Sequence, residues 1–216
     1  VNESKCMWLC KSSFFLGAVL SPGCISVDPD RIKALLEWEA PDTKKKLQRY
    51  CVFINYISSF IPFAAQITRP LFDVMKTTVN KVQGDLMPVV KEAMKEINSS
   101  LVNIMNSRLK FFPVDCKKVF IYCDASDVGI GGFVAFEDDD GLKHICGLYN
   151  RCFKSYEYGY EISKKELCAI KETVNHFKHL LYAPKVIVFT DHKPLVNVNF
   201  GLNNDDATVY RWWCFL

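Results

Sequence analysis

Three acidic residues occupy positions from which their side chains can meet. Asp124 closes the segment VFIYCDAS, Glu166 lies in SKKELCAI and Asp191 closes VIVFTDH. Carboxylates at the ends of two strands and in the first turn of a helix can converge on one patch. Such a cluster usually holds divalent cations, and Mg²⁺ prefers oxygen ligands. Two Mg²⁺ ions about 4 Å apart form a site for cutting phosphodiesters by in-line attack of water.

Each acid also has a purely structural interpretation. Asp124 precedes Ala-Ser-Asp-Val-Gly and can start a turn. Glu166 follows Ser163 by three residues, so the pair fits a capping box in which Ser163 is the N-cap. Asp191 can cap the segment that follows its strand. The occurrence of all three acids in this order around one predicted helix favours the metal site.

The composition is that of a folded protein. Half of the 216 residues are hydrophobic and 13% are aromatic, enough for one large domain or two small ones. No apolar run approaches the roughly 20 residues of a membrane span, and the first residues lack signal-peptide architecture. The ten cysteines show neither zinc-ligand spacing nor a disulfide framework. We therefore expect a reducing intracellular compartment, either cytoplasmic or nuclear, and no membrane partner.

The net charge of +3 is distributed unevenly. Residues 1–113 carry 15 Lys and Arg against 10 Asp and Glu, whereas residues 114–216 carry 12 against 14. A basic half beside an acidic half suits a phosphate-binding surface next to a metal-binding one. Charges of this size are also common on solvated faces.

The first half of the chain predicts a short hairpin followed by helices. Residues 12–21 read as a β-hairpin arm, and Asp28-Pro29 is a good helix start. A second helix is capped by Thr43 and carries an apolar stripe at residues 47, 51, 54 and 57. A third short helix is predicted after Pro70, residues 77–88 read as a linker, and residues 89–105 show helical spacing.

The second half predicts an α/β layer. Residues 119–124, 129–136 and 143–150 read as strands, with EDDDG (137–141) as a hairpin turn. A helix is expected from Ser163 to about Leu181. Residues 186–191 form a nearly continuous apolar run, which predicts a central strand covered on both faces. Asp124 and Asp191 then stand at the ends of neighbouring strands.

With these motifs and predicted elements, the chain resembles the Pol polyprotein of Ty3/gypsy-type long-terminal-repeat retrotransposons. The resemblance covers nearly the whole length in family order. FFLGAVLSPGCISVDPDRIKALLEW is similar to the end of the reverse transcriptase palm running into the thumb, and TKKKLQRYCVFINYISSFIPFAAQITRPLF to the thumb helices. The motifs DASDVGIGG, KKEL and TDHKPL, at this order and spacing, are similar to ribonuclease H and are the most specific.

The resemblance implies roles for individual residues. Asp124, Glu166 and Asp191 match three ribonuclease H carboxylates that bind Mg²⁺ (two ions, or Mn²⁺). The primer-grip turn is matched by Phe15, Leu16 and Gly17. The candidate phosphate contacts on the thumb are Lys44, Lys45, Lys46 and Arg49.

The resemblance also predicts the architecture, a mixed α+β and α/β chain. Residues 1–76 are expected to form the palm end and a helical thumb, and 77–113 a linker and connection helix. Residues 114–216 are expected to form a ribonuclease H-like mixed-sheet domain that lacks its last helix. We expect the polymerase aspartates and the family's fourth carboxylate to lie outside the chain. Asp205 and Asp206 read as loop acids, and His192 as a residue that hydrogen-bonds within its own turn.

The implied function is that of a reverse transcriptase and ribonuclease H fragment, without polymerase activity on its own. The retained chemistry is hydrolysis of the RNA strand of an RNA–DNA hybrid. The expected partners are that hybrid or a primer–template duplex, and the remainder of a Pol polyprotein. The alternatives are a non-catalytic nucleic-acid-binding or assembly fragment, and a structural α/β protein. Cleavage of a hybrid would separate the enzyme from both.

Overall fold

The computed structural model describes residues 8–77, 80–113, 115–181, 183, 185–196 and 206–216. Six helices lie within these ranges: α1 (Pro29–Leu36), α2 (Lys44–Ile57), α3 (Ala64–Lys76), α4 (Leu86–Ile104), α5 (Ile162–Phe177) and α6 (Ala207–Phe215). Eight strands accompany them: β1 (Ser13–Phe15), β2 (Ala18–Ser21), β3 (Cys24–Val27), β4 (Leu109–Lys110), β5 (Lys118–Ala125), β6 (Gly129–Glu137), β7 (Lys143–Cys152) and β8 (Lys185–Phe189). The mixed architecture predicted from the sequence is confirmed.

The N-terminal body combines a small antiparallel sheet, in the order β1-β2-β3-β4, with helices α1 to α4. Local signals start two of these helices. Asp28 is the N-cap of α1, just before Pro29, and its carboxylate accepts a hydrogen bond from the Asp30 N–H. The Thr43 hydroxyl caps α2 by accepting a hydrogen bond from the Lys46 N–H. The predicted starts of α1 and α2 are confirmed, and the predicted stripe on α2 is buried.

The prediction of a short helix after Pro70 is wrong, because α3 begins at Ala64 and contains that proline. A proline inside a helix removes one backbone hydrogen bond and costs about 3 kcal/mol. Leu71 and Val74 lie on the buried face of α3, and burial of apolar side chains of this size offsets such a cost. Packing therefore overrides the local helix-breaking signal.

Helix α4 packs into the same core as α1, α2 and α3. Its buried residues, among them Val90, Ile97 and Leu101, join one apolar cluster with the buried faces of the earlier helices. The segment before it is attached as well, since the Val82 N–H donates to the Asp42 carbonyl at 2.8 Å. The division into a thumb and a separate connection stays a prediction.

The C-terminal body is built on a mixed sheet in the order β7-β6-β5-β8. Strands β5, β6 and β7 are antiparallel neighbours, whereas β8 runs parallel to β5. The prediction that β8 is central is wrong, because it lies at the edge of this sheet and Val186, Val188 and Phe189 are exposed. An apolar run shows that a strand lacks polar residues. It does not determine how many neighbouring strands pair with it, which is why the prediction failed.

Helix α5 covers one face of the sheet. Leu167, Ile170 and Phe177 pack against inward side chains of β5 and β6, including Val119 and Ile121. Helix α6, which the sequence did not predict, packs on α5 through Val209 and the partly buried Trp212 and Trp213. The helix and the sheet together fix the carboxyl ends of β5 and β8 beside the first turns of α5.

Side chains of β7 tie the two bodies together. The Ala65 N–H donates to Oδ1 of Asn150 at 2.8 Å, and Nδ2 of Asn150 donates to the Ser58 carbonyl at 3.4 Å. The thiol of Cys152 donates to the Ala65 carbonyl at 3.3 Å. These bonds satisfy backbone groups at the start of α3 with polar groups from the sheet.

Gly132 of β6 lies close against α5, and this contact gives a stability prediction. A Cβ at this position would lie 2.6 Å from Thr173 Oγ1 and 2.8 Å from the Tyr122 carbonyl oxygen. We expect Gly132→Ala to lower the free energy of unfolding by about 1–3 kcal/mol, the usual cost of overpacking. Chemical denaturation measures the change.

Gly131→Ala is the matched control, because the nearest atom to its Cβ would be 4.0 Å away. Alanine in place of an unhindered glycine reduces the entropy of the unfolded chain, so this variant should be as stable as the original or slightly more so. Equal destabilisation by the two substitutions would contradict the proposed contact with α5.

Candidate metal centre

Asp124 and Asp191 lie at the same edge of the sheet because β5 and β8 are parallel. The last described pair of this ladder joins Tyr122 to Phe189, and each acid lies two residues beyond its member of the pair. The parallel pairing therefore ends both strands at one edge of the sheet, where Asp124 lies within β5 and Asp191 follows the end of β8. Asp124 also pairs with Gly131 of β6, which leaves the space next to it open.

Glu166 reaches the same place from α5. The helix begins at Ile162 with Glu161 as its N-cap, which makes no side-chain capping bond. Ser163 therefore lies inside the helix, and the capping-box interpretation of Ser163 and Glu166 is wrong. Glu166 is 6% exposed, and no donor in the described part of the chain reaches its Oε2. A buried carboxylate oxygen without a partner is expensive unless a cation or a proton satisfies it.

The three acids form one group. Asp124, Glu166 and Asp191 each offer a carboxylate oxygen, and these atoms all lie within 4.8 Å of one another. No other group of three or more His, Cys, Asp or Glu side chains with this geometry occurs within the ranges described. All the donors are hard oxygens, which suits Mg²⁺ or Mn²⁺ and not a thiolate-seeking metal. The donor set and the unpartnered Oε2 therefore fit a divalent cation.

Electrostatics at Glu166 have a clear direction. Burial, followed by the negative charges of Asp124 and Asp191, raises the pKa of Glu166 from 4.5 to about 7. A hydrogen bond from the Ala125 backbone opposes this increase. Because the folded pKa lies above the unfolded one, ionisation of Glu166 disfavours the metal-free fold as the pH rises from about 4.5 to about 7.

A carboxyl titration tests this charge cluster. In the metal-free protein we expect the Glu166 carboxyl to titrate near pH 7, and Asp124→Asn to lower that midpoint by removing one negative neighbour. NMR spectroscopy of carboxyl-labelled glutamate measures both values, with Asp127→Asn as the control. A midpoint near 4.5 in the unsubstituted protein would mean that the three acids are not clustered.

Three consecutive residues in the first turns of α5 contact the segments around the acids. Ser163 Oγ and His192 Nε2 are 2.8 Å apart. Lys164 forms an ion pair with Asp206, and Lys165 lies 3.9 Å from the Asp127 carboxylate. Sequence reasoning missed these contacts, since each joins residues that are far apart in the chain.

His192 hydrogen-bonds within its own turn as predicted, since its N–H donates to the Thr190 hydroxyl at 3.2 Å. Its side chain makes a further contact, with Ser163 of α5, that was not predicted. The interpretation of Asp206 as a loop acid needs correction. Asp206 is the N-cap of α6, where its carboxylate accepts hydrogen bonds from the Thr208 and Val209 N–H groups. Those bonds, and above all the one from Lys164, lower the pKa of Asp206 to about 2. An aspartate ahead of a helical pattern is the signal that could have identified this cap. Asp205 lies outside the described residues.

The predicted primer-grip residues form an exposed hairpin tip. Phe15 and Leu16 are 60% and 75% exposed. Leu16 and Gly17 both have positive φ, 48° and 79°, as a tight two-residue turn requires. The ring of Phe15 and the side chain of Leu16 are thus displayed to solvent. Their role in holding a primer stays a prediction.

The predicted phosphate contacts on α2 are of two kinds. Lys44 donates to the Thr77 carbonyl at 2.8 Å, and Lys46 lies 2.9 Å from the Asp42 carboxylate. Lys45 and Arg49 are exposed, and neither forms an ion pair with a residue that the structure describes. Lys45 and Arg49 are therefore better placed than Lys44 and Lys46 to contact a phosphate.

Comparison with protein families identifies the second half of the chain. The model of the RNase H-like domain found in reverse transcriptase matches residues 115–216. These residues contain all three clustered acids.

Comparison with curated proteins supports the same assignment. The Tf2-3 and Tf2-4 transposon polyproteins of Schizosaccharomyces pombe are each 27% identical to the chain over 219 aligned residues. The match covers 100% of this chain and 16% of each relative, so the chain spans about a sixth of their length. The resemblance to a Ty3/gypsy-type polyprotein is confirmed.

Solved structures with the same fold come from a foamy virus. The protease–reverse transcriptase in complex with an RNA/DNA hybrid matches with a TM-score of 0.74 and 18% identity, over 98% of this chain and 28% of that one. The same protein in complex with dsDNA matches with a TM-score of 0.74 and 17% identity, over 96% and 43%. At these identities the likeness shows the fold. Within the described ranges, none of the helices has the length and apolar character needed to cross a membrane.

Proposed function

We propose that this chain hydrolyses the RNA strand of an RNA–DNA hybrid, because residues 115–216 match the model of the RNase H-like domain found in reverse transcriptase. The observation that carries the proposal is the convergence of Asp124, Glu166 and Asp191, with ligand atoms within 4.8 Å of one another. The chain would act as a segment of a retrotransposon polyprotein, as the 27% identity to the Tf2 polyproteins suggests.

The chemistry of the site follows from its three carboxylates. Two divalent ions bound there, Mg²⁺ or Mn²⁺, would activate a water molecule and stabilise the leaving 3′ oxygen. The oxygen of water becomes bonded to phosphorus, the bond from phosphorus to O3′ breaks, and O3′ takes a proton. The products are a 3′-hydroxyl and a 5′-phosphate.

The residues of the chain supply position and charge. The parallel pairing of β5 and β8 brings the segments that carry Asp124 and Asp191 to one edge of the sheet, and α5 brings Glu166 to the same edge. The carboxylate of Glu166 has to lose its proton to bind a cation, and the cation's charge compensates the burial that otherwise disfavours ionisation. The Ala125 N–H helps to hold this carboxylate in its ionised form.

The surface of the N-terminal body suits the same substrate. The exposed Lys45 and Arg49 lie one turn apart on α2, and the hairpin tip at Phe15 and Leu16 offers apolar side chains to a nucleic acid. Contacts to phosphates would give binding that weakens as salt increases. The RNA strand would be distinguished from DNA through its 2′-hydroxyls. The RNA/DNA hybrid bound by the foamy virus protein of the same fold is consistent with this substrate.

An assay with one labelled strand tests the proposal. The purified protein is mixed with an RNA–DNA hybrid in the presence of Mg²⁺ or Mn²⁺, and the lengths and end groups of the products are determined. We expect cleavage of the RNA strand, with no cleavage of double-stranded DNA and none in the presence of a chelator. Salt-dependent binding without cleavage would overturn the proposal in favour of a non-catalytic nucleic-acid-binding role.

A further inference from the structure

Asp191 lies beyond the part of β8 that is held by the sheet. The strand ends at Phe189, whose partner Tyr122 closes the ladder with β5. Strand β8 is also at the edge of the sheet, and β5 is its one described neighbour. The Asp191 side chain is exposed. Ladder hydrogen bonds therefore do not determine where this carboxylate lies relative to Glu166.

The next residue, His192, supplies a restraint. Its Nε2 lies 2.8 Å from the hydroxyl oxygen of Ser163 in the first turn of α5. Ser163 and Glu166 are three residues apart on that helix, so they are neighbours on its surface. The contact therefore links the segment that carries Asp191 to the helical turn that carries Glu166.

The backbone around His192 is fixed on both sides. Its N–H donates to the Thr190 hydroxyl at 3.2 Å, and its carbonyl accepts from the Leu195 N–H at 3.0 Å. Leu195 is buried in the core between α5 and the sheet. With both backbone groups engaged, the main chain of His192 is held in a place from which its imidazole reaches Ser163.

We propose that Ser163 and His192 form a positioning pair that sets the separation of the Asp191 and Glu166 carboxylates. The inference rests on the proposed metal centre and adds two residues that touch neither the cation nor the substrate. Carboxylates this close repel each other before a cation arrives, and a restraint between their supporting segments keeps them close. A hydroxyl can either donate to Nε2 or accept from it, so the contact suits either tautomer.

The other contacts from the same turn do not serve this purpose. Lys164 is bonded to the N-cap of α6, and Lys165 reaches toward Asp127, whose side chain is fully exposed. Neither contact involves the segment that follows β8. Within the described residues, the bond between Ser163 and His192 is thus the side-chain hydrogen bond from this turn to the Asp191 segment.

Two isosteric substitutions separate positioning from simple packing. The amide group of glutamine lies about where Nε2 of histidine lies, whereas the shorter asparagine reaches only as far as Nδ1. We expect His192→Asn to weaken Mn²⁺ binding by about 10-fold to 100-fold, the usual effect of losing a group that orients a metal ligand. We expect His192→Gln to bind nearly as tightly as the unsubstituted protein. Ser163→Ala should weaken binding like His192→Asn, and Ser163→Thr should restore it.

The readout is Mn²⁺ binding by electron paramagnetic resonance, which needs neither substrate nor turnover. His179→Asn is the matched control, because it makes the same substitution at an exposed histidine that has no contact with the three acids. Unfolding of each metal-free variant is measured in parallel. The variant that combines Ser163→Ala with His192→Asn should bind Mn²⁺ no more weakly than either single variant. Each single substitution already removes the same hydrogen bond, so the second has nothing further to remove.

The outcomes distinguish this inference from the proposed function. Mn²⁺ binding that is the same in His192→Asn and His192→Gln would overturn the positioning pair and leave the metal centre intact. Selective loss in His192→Asn, with no cleavage of a hybrid by the unsubstituted protein, would support the pair and overturn the nuclease. Failure of the unsubstituted protein to bind Mn²⁺ would overturn both.

Discussion

Replacement of Asp124 by asparagine is expected to reduce hybrid cleavage by about a thousandfold, with hybrid binding retained. The cluster gives each cation carboxylate oxygens, and removal of one negative ligand weakens the charge stabilisation that a bound cation supplies, which is worth several kcal/mol. Each 1.4 kcal/mol changes the rate by about tenfold. Single-turnover cleavage of a labelled hybrid measures the rate, and a salt titration of binding measures the affinity.

Asp127→Asn provides the control for this prediction. Asp127 lies three residues further along the chain, its side chain is fully exposed, and its nearest cation is Lys165 at 3.9 Å. The substitution removes the same charge just beyond the end of β5 without altering the cluster. If Asp124→Asn cleaved the hybrid as fast as Asp127→Asn, Asp124 would not be a metal ligand.

Replacement of Glu157 by glutamine is expected to destabilise the fold by about 3–5 kcal/mol, the usual cost of removing one partner from a buried ion pair. Glu157 is 3% exposed, and its two oxygens accept bonds from Arg151 at 2.6 and 2.9 Å. It also accepts from the Lys154 N–H at 2.7 Å. Without the Glu157 carboxylate, the partly buried Arg151 guanidinium keeps only the more distant carboxylate of Glu172, 3.8 Å from its Nε. Chemical denaturation measures the loss.

A double substitution isolates the charge effect. The variant that combines Arg151→Met with Glu157→Leu removes both charges at similar volume, and such replacements are often neutral or stabilising. It should therefore be more stable than Glu157→Gln alone. The opposite order would show that the pair contributes through its hydrogen bonds to the loop and not by mutual compensation of charge.

The same pair predicts a dependence on pH. Although burial opposes it, the hydrogen bonds from Arg151 and Lys154 hold the pKa of Glu157 below its usual value of 4.5. The stabilisation is therefore present above pH 4.5 and is lost as the pH falls through the folded pKa. The pKa of Glu166 is raised instead, so the contribution of Glu166 to the stability of the metal-free protein changes with pH in the opposite direction.

Most of the sheet and the helices could be predicted from the sequence because their signals are local. A run rich in β-branched and aromatic residues marked β5, and the Asp-Pro and Thr starts marked α1 and α2. The proximity of Asp124 to Asp191 followed from one further assumption, that their strands are neighbours. The register between Tyr122 and Phe189 confirms that geometry.

What the sequence could not predict depends on tertiary packing. The edge position of β8 is a property of the whole sheet, and the helix through Pro70 depends on the core that buries Leu71. The contact between Ser163 and His192 joins residues 29 positions apart, neither of which has a distinctive local pattern. The raised pKa of Glu166 requires both its burial and its two acidic neighbours.

Diffraction from crystals soaked in Mn²⁺ tests most directly whether the three acids form one cation centre. The account predicts anomalous density roughly 2 Å from carboxylate oxygens of Asp124, Glu166 and Asp191, as expected for a small divalent cation. The same experiment on Asp124→Asn crystals should show that density weakened or lost. Mn²⁺ bound elsewhere, or carboxylates of the three residues directed to separate regions, would contradict it.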